Sequence, residues 1–372
     1  MKKLCNTITV FTVLILLTGC WDDRLLKEAT LLMLVGVDYL EDGQVQTSVS
    51  APLLPSQETE DNRLNAVAVG KSFRDSKLAL DRSIPGHIDI SKLKVFLLGP
   101  SVAQTDVYPF LDSMYRDPLS ALNAKIVVVD GTAKEYIMLY PKNKPRISIY
   151  ITELLKSAEE HSYVPVQSIE YICPIMFDEG QDFIIPYLTM DKASQEISVS
   201  GTALFNDKKQ SGVLDAHESM LFLLLADQKG KSAKMTLTID DPSNNKQPFD
   251  NIITIEIKKL DRKMKIVPKN DTIEVEIDLN LYVDIIEYPH DNLQEKKEVI
   301  KLDKVLTNIL KTESEAVINK LQEANCDGFG IGRRVFALHN TFWEKHNWKD
   351  LYPNISIKPN VQVKIIDRGI IN

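Results

Sequence analysis

The most regular pattern in the chain runs from Ile273 to Ile285. Its odd positions (Ile273, Val275, Ile277, Leu279, Leu281, Val283, Ile285) are apolar, and Glu274, Glu276, Asp278, Asn280, Tyr282 and Asp284 fill the even ones. Strict period two puts one face in a core and the other in water, which predicts a long strand of a half-solvated antiparallel sheet. Soon after, Leu302, Val305, Leu306, Ile309, Leu310, Ala316, Val317, Leu321 and Ala324 recur at three- and four-residue steps. That is the stripe of an amphipathic helix, about 24 residues and about 36 Å long at 1.5 Å per residue. Asp327-Gly328 supplies its stop signal. Upstream, Ile253, Ile255 and Ile257 alternate with polar residues and predict a neighbouring strand; Ile355 to Ile357 and Val361 to Ile366 predict two short strands around Pro359. The C-terminal part therefore reads as an antiparallel sheet packed with a long helix.

The first half has a different rhythm. Leu31 to Tyr39 is an apolar run containing Gly36-Val37-Asp38, and Val45 to Val49 offers a partner strand across a turn at Glu41-Asp42-Gly43. A helical pattern through Val69, Phe73, Leu78 and Leu80 ends at Pro85-Gly86. Strands follow at Leu93 to Leu98 and Lys125 to Val129, with helices at Asp106 to Tyr115, Ala133 to Tyr140 and Ile147 to Glu160. Strands separated by helices predict an α/β layer. After Asp191 the character changes. Ile197 to Phe205 alternates around Gly201, Asn206-Asp207 and Gly212 signal turns, Leu214 to Ala226 reads as a helix, and Asp240 to Asn245 as a loop. The expected class is mixed α/β (α+β) and multi-domain. Residues 20–192 form an N-terminal α/β domain. Residues 193–372 form a C-terminal α+β region, read either as one unit or as a small middle domain before the unit with strand 273–285 and helix 302–325.

The extreme N-terminus reads differently again. Met1-Lys2-Lys3 is basic, and the apolar run Ile8 to Leu17, interrupted by Thr9 and Thr12, follows. It is shorter than the roughly 20 residues a membrane-spanning helix needs, and the arrangement is that of a secretory signal peptide. Leu17-Thr18-Gly19-Cys20 has the Leu–small–Gly–Cys pattern of a bacterial lipobox. Cleavage is expected after residue 19, with diacylglycerol on Cys20 through a thioether. Two acyl chains give stable anchoring, at about 0.8 kcal/mol per buried CH₂.

Composition then narrows the chemistry. Without residues 1–19 the body has 353 residues (372 − 19), 42 basic residues (44 − 2) and 52 acidic ones, a formal charge of −10. That balance argues against nucleic acid as a partner and against electrostatic docking of the body on anionic lipid. Cys5 leaves with the signal and Cys20 is lipidated, so Cys173 and Cys326 remain; two cysteines are not a disulfide framework, and whether they pair stays open. No histidine lies in a His-Glu-x-x-His pair or beside cysteines at zinc spacing; His339 and His346, near Trp343 and Trp348, read as surface residues. Gly328-Phe329-Gly330-Ile331-Gly332 follows a helix rather than a strand, so it reads as a stop and turn and not a nucleotide loop. Asp22-Asp23 and Asp240-Asp241 lack calcium-loop spacing. No cofactor, metal or catalytic constellation is expected, and the chain reads as a non-enzyme.

Several stretches share one resemblance. Cys20-Trp21-Asp22-Asp23-Arg24 is followed by Gly36-Val37-Asp38, Arg116-Asp117-Pro118, Val199 to Phe205, Asp327-Gly328-Phe329-Gly330, Trp343 and Trp348. In order and spacing this resembles the Ger(x)C spore germination proteins, lipoprotein C subunits of nutrient germinant receptors. One departure is Leu25, where an acidic residue often follows the arginine. The resemblance implies three domains of mixed α/β build and a non-enzymatic subunit on the outer face of the inner spore membrane. Its partners would be two multispanning subunits, A and B. Cys20 would be the lipid site, with Trp21, Asp22 and Arg24 as a juxtamembrane contact segment; an indole at the headgroup level is compatible with that role. The runner-up is a solute-binding lipoprotein of a membrane transporter, which needs two similar lobes and fits the strand and helix of 273–325 poorly.

Overall fold

Two sheets organise the chain, and the computed structural model describes residues 29–52, 63–139, 145–239, 251–289 and 293–369. The chain enters through β1 (Ala29–Leu31) and continues into β2 (Leu34–Tyr39), which turns through Gly43, φ +79°, into β3 (Val45–Pro52); β4 (Arg63–Gly70) follows. Helix α1 (Phe73–Asp81) starts at Ser72, whose hydroxyl accepts from the Asp75 N–H. It leads to β5 (His87–Asp89), which pairs in parallel with β1, and to β6 (Val95–Leu98). Next come α2 (Pro100–Ala103), α3 (Tyr108–Tyr115), β7 (Lys125–Val129), α4 (Ala133–Met138), α5 (Ile147–Glu160) and α6 (Ile169–Met176). Strands β8 (Ile184–Asp191), β9 (Glu196–Asn206) and β10 (Lys209–Asp215) complete an eight-stranded sheet of order β10-β9-β8-β7-β6-β2-β3-β4.

The centre of that sheet, β2, β6, β7 and β8, is parallel, with antiparallel hairpins at both edges. Parallel strands covered on both faces carry unbroken apolar runs, and every residue of β6 is buried. One face packs against α1, α3 and α6 through Phe73, Leu80, Phe110, Met114 and Ile172. The other packs against α4 and α5 through Tyr136, Ile137, Ile151 and Leu155. The sheet continues past residue 192, because β9 and β10 hydrogen-bond onto β8 in sequence.

Helix α7 (Ala216–Leu225) begins with a capping box between Asp215 and Glu218. The second sheet comprises β11 (Lys234–Thr238), β12 (Ile252–Lys269), β13 (Thr272–Glu287) and, after α8 (Lys296–Glu323), α9 (Ile331–Leu338), α10 (Asn340–Trp343) and α11 (Trp348–Leu351), strand β14 (Ser356–Asp367). Strands β11 to β13 are antiparallel, and β14 joins β13 in parallel. A parallel join needs a crossover connection, which α8 begins, its Leu302, Leu306, Leu310, Val317 and Leu321 packed on the sheet. The alternation expected in β13 is realised: Ile273 through Val283 at odd positions are 0–1% exposed.

Local differences from the expected elements have physical causes. Val69 belongs to β4, opposite Gln46, and the helix starts only at Phe73. The two expected tail strands are one strand that passes through Pro359. Since β14 lies at the sheet edge, a proline whose missing N–H is directed outward removes no ladder bond. Gly212 marks a register shift inside β10 rather than a turn. The expected loop Asp240 to Asn245 and the signal segment lie outside the described residues.

Gly201 fixes how closely β9 and β10 approach. Its φ is +145°, and a Cβ there would stand 2.0 Å from the Leu214 carbonyl oxygen. Gly201→Ala is expected to lower urea-derived stability by about 2–4 kcal/mol. Val213→Ala on the same hairpin, at a position 37% exposed, should cost under about 1 kcal/mol. Equal midpoints for the two variants would contradict the close approach.

Candidate functional site

Cys20, Trp21, Asp22 and Arg24 lie outside the described residues. Most of the other stretches that carry the resemblance serve architecture. In β2, Gly36 lets α4 lie close: a Cβ there would sit 2.7 Å from the Ala133 Cβ. Two residues on, the buried Asp38 carboxylate accepts from the Ala133 and Lys134 N–H groups at 2.9 and 3.0 Å. A carboxylate at a helix start meets free N–H donors and the positive end of the dipole. Burial nevertheless raises the Asp38 pKa against those hydrogen bonds.

A second buried carboxylate does more. Asp327, 1% exposed, accepts from the Ile331 N–H at 3.0 Å on one oxygen; the other accepts from the Gly332 N–H at 2.8 Å and the Trp348 indole N–H at 3.1 Å. Gly330, φ +65°, is the N-cap of α9 and turns the chain into that position. Asp182, before β8, accepts from the Asp327 N–H at 2.9 Å and from the Asp207 N–H at 2.8 Å, and its own N–H donates to the Asp327 carbonyl at 3.1 Å. Tyr352 donates its hydroxyl to the Cys326 carbonyl at 2.9 Å, and Phe329 stacks on Phe222 with centroids 5.0 Å apart. The glycine-rich stretch is thus the expected helix stop, and it is also the joint between the two sheets. Trp343 and Trp348 stack at 6.0 Å beside it.

Cys173 and Cys326 are both free thiols, and Cys326 is buried. Among the described residues no group of three His, Cys, Asp or Glu side chains is placed to hold a metal ion. His346 stacks on Phe342 with centroids 4.1 Å apart, and His339 closes α9.

Arg116-Asp117-Pro118 differs, for it lies on the wall of an open cleft of about 720 Å³ between α1, β5 and the end of α3. Arg116 donates through Nε to both Asp112 oxygens at 2.9 Å, and the Tyr108 hydroxyl donates to Asp112 at 2.8 Å. Asp117 accepts from the Leu119 N–H at 3.1 Å and stands 3.9 Å from Arg74. Asp81 accepts from the Ile88 N–H, and Asp89 from the Ser91 N–H. The Arg116 and Arg74 side chains stay 75% and 59% exposed. Leu78 and Leu119 flank the cleft, about half exposed. Burial lowers the pKa of Lys77, the largest effect on it, against the opposing field of Asp117. Sequence reading picked out Arg116 and Asp117 only within a stretch that carries the resemblance, not as site residues, and did not pick out Arg74, Lys77 or Asp89, which come from elements distant in the chain. The only local signal was the i,i+3 spacing of Arg74 and Lys77 on the exposed side of α1.

The Asp327 joint makes a pH prediction. Burial pushes its pKa up to about 7, above that of an unfolded aspartate, about 3.9. The folded chain therefore keeps a proton that the unfolded chain releases. The resulting stability is fully present below about pH 4 and is lost as pH rises through about 7, at up to about 1.4 kcal/mol per pH unit. Asp182, also raised by burial, adds in the same direction. Asp327→Asn should flatten the fall of urea midpoints between about pH 5 and 7, leaving the slope due to Asp182. It should also lower the baseline by about 1–3 kcal/mol, since an amide NH₂ cannot accept from the helix N–H groups. An unchanged pH slope in this variant would exclude a buried proton at position 327.

Comparison with known proteins agrees with this architecture. The family model described as "Spore germination protein N-terminal domain" matches residues 22–190, and "Spore germination B3/GerAC like, C-terminal" matches residues 200–369. The chain is similar to spore germination protein GerQC of Bacillus cereus, 19% identical over 358 residues covering 96% of each chain. It is similar to spore germination protein KC of Bacillus subtilis (strain 168), 19% identical over 401 residues covering 100% of this chain and 97% of that one. The crystal structure of the GerBC protein shares the fold, with a TM-score of 0.57 at 18% identity over 89% of this chain and 96% of that chain. With both domain models matched in order from residue 22 to residue 369, the chain belongs to the Ger(x)C family of spore germination proteins.

Proposed function

We propose that this protein is the lipid-anchored C subunit of a spore nutrient germinant receptor. It is held on the outer face of the inner spore membrane by diacylglycerol on Cys20 and works by contact with the multispanning A and B subunits. The observation that carries this reading is a junction: the family match begins at residue 22, two residues after the cysteine of the lipobox Leu17-Thr18-Gly19-Cys20. Among the described residues no helix is long and apolar enough to cross a membrane, so on this reading attachment falls to Cys20. Two acyl chains suffice for stable anchoring. Trp21, Asp22 and Arg24 then form the segment nearest the lipid, with the Trp21 indole at the headgroup level. Residues 20–192 and 193–372 serve as the two working units of the body, and the β8–β9 hairpin bridges them. The role is assembly or signalling rather than catalysis.

Mass spectrometry of proteins co-purified with the tagged chain from detergent-solubilised spore membranes tests this, with Cys20→Ala as control. Recovery of two multispanning subunits, lost or reduced in the control, is expected. A permease and an ATPase in their place, or no partner from spores, would overturn the receptor reading.

A further inference from the structure

Helix α9 turns arginine and apolar side chains outward on a chain whose formal charge is −8. Arg333 with Ala337, and Arg334 with Leu338, are i,i+4 pairs, so all four share one side of the helix. That side lines an open hollow of about 480 Å³ with Gln181 and Phe329, and no described carboxylate forms part of its wall. Leu338 is 71% exposed and the Arg333 side chain 65%. Round the helix, Phe336, 55% exposed, meets the Trp343 ring edge to face at 5.8 Å. The start of the helix is held firmly. Asp327 takes the N–H groups of Ile331 and Gly332, and the Gly180 carbonyl takes that of Arg333 at 2.8 Å.

The charges around the hollow do not cancel. The Arg334 side chain makes no hydrogen bond or ion pair with a described residue. Near it lies Arg262, whose Nε donates to the Leu225 carbonyl at 2.8 Å. Burial first, and then the field of Arg334, lowers the Arg262 pKa. Asp178 and Asp227 oppose these three guanidinium groups, and neither lines the hollow. Asp178 stands 3.5 Å from the Arg333 Nε, and its other oxygen accepts from the Gly180 N–H. Asp227 acts on Arg262 through space. Arg333 and Arg334 therefore keep terminal NH₂ groups for an acceptor from outside, and paired guanidinium donors match a carboxylate. Arginine beside aromatic side chains is also the composition of protein interfaces.

We propose that this side of α9 docks an acidic segment of a partner protein, with carboxylates on Arg333 and Arg334 and an apolar side chain in the hollow against Leu338 and Phe329. Charge complementarity selects the acidic partner. The hollow selects a protein over a membrane surface, because a concave site admits one side chain. Lying on a lipid surface instead requires a single apolar stripe, and Phe336 and Leu338 stand about 200° apart around the helix. The inference rests on the contact role proposed above and assigns a surface to it.

Photo-crosslinking of the tagged full chain in spore membranes tests the proposal, with p-benzoylphenylalanine in place of Leu338. The control carries it in place of Ile149, 46% exposed on α5. Mass spectrometry of the adduct at 338 should identify a protein segment with Asp or Glu beside an apolar residue, severalfold above the control. The yield should fall severalfold in the Arg333→Gln, Arg334→Gln double variant, whose melting temperature checks its fold, and return in part with Arg333→Lys, Arg334→Lys. No adduct above the control, an adduct to lipid or to a segment without carboxylates, or a yield indifferent to the glutamines overturns the proposal. Two multispanning subunits that co-purify without this adduct sink the present inference alone. An acidic adduct from another protein, in the absence of those subunits, sinks the receptor reading and leaves the docking surface standing.

Discussion

The relation between the two sheets depends on two carboxylates, the buried Asp327 and the half-buried Asp182, satisfied almost wholly by N–H groups. Where the first sheet meets the end of the long helix, the Asp182 N–H donates to the Asp327 carbonyl and the Asp327 N–H donates to the Asp182 carboxylate. Asp182 holds the β9–β10 turn through Asp207, while Asp327 holds the first turn of α9 and Trp348. Taking a carboxylate out of water is expensive, and an unpaired one shifts its pKa instead of keeping its charge. That is what burial does here, lifting both groups. The joint therefore trades some stability above neutral pH for a fixed geometry. A purely apolar contact could supply area, but three directed donors on one carboxylate specify where α9 and Trp348 sit.

The same joint explains why the chain is hard to cut into independent pieces. Family matching separates residues 22–190 from 200–369, yet β9 and β10 finish the first sheet while α7, which follows directly, packs into the core of the second through Met220 to Leu225. The hairpin is covered by one core on each side. Ala203 and Phe205 point into the first and Leu204 into the second, as the period of two along a strand requires. A substitution there reaches both halves at once.

Legibility in the sequence followed how one-sided each element's environment is. Strand β13 and helix α8 each bury a single face, so their periods stand out in the residue order, and both were expected within a few residues of where they lie. Helix α5, Ile147–Glu160, has the bounds its pattern predicts. Strand β4 was not legible, because Ala66, Val67, Ala68 and Val69 are short apolar residues on both faces and carry no alternation. Proline 359 read as a break only because sequence does not reveal that β14 is an edge strand. The cleft was least legible of all. Its walls are helix α1, strand β5 and the end of α3, brought together by a β1–β5 pairing of residues 58 apart (87 − 29) that no local period announces.

The residues that carry the family resemblance and fall in the described structure divide by what they do. Gly36, Asp38, Gly201, Asp327 and Gly330 are held by close backbone approach or by buried N–H groups, and their identities follow from the fold. Only Arg116 and Asp117 among them place charge on an open surface. A chain recognised mainly by architectural positions can match its relatives over nearly their whole length at 19% identity, because a few backbone constraints preserve the fold while most of the surface is free to change. Likeness of that kind predicts fold well and contacts poorly. What such a chain touches must then be sought where architecture does not dictate the side chain, as at the exposed Arg74 and Arg116 of the open cleft between α1, β5 and the end of α3.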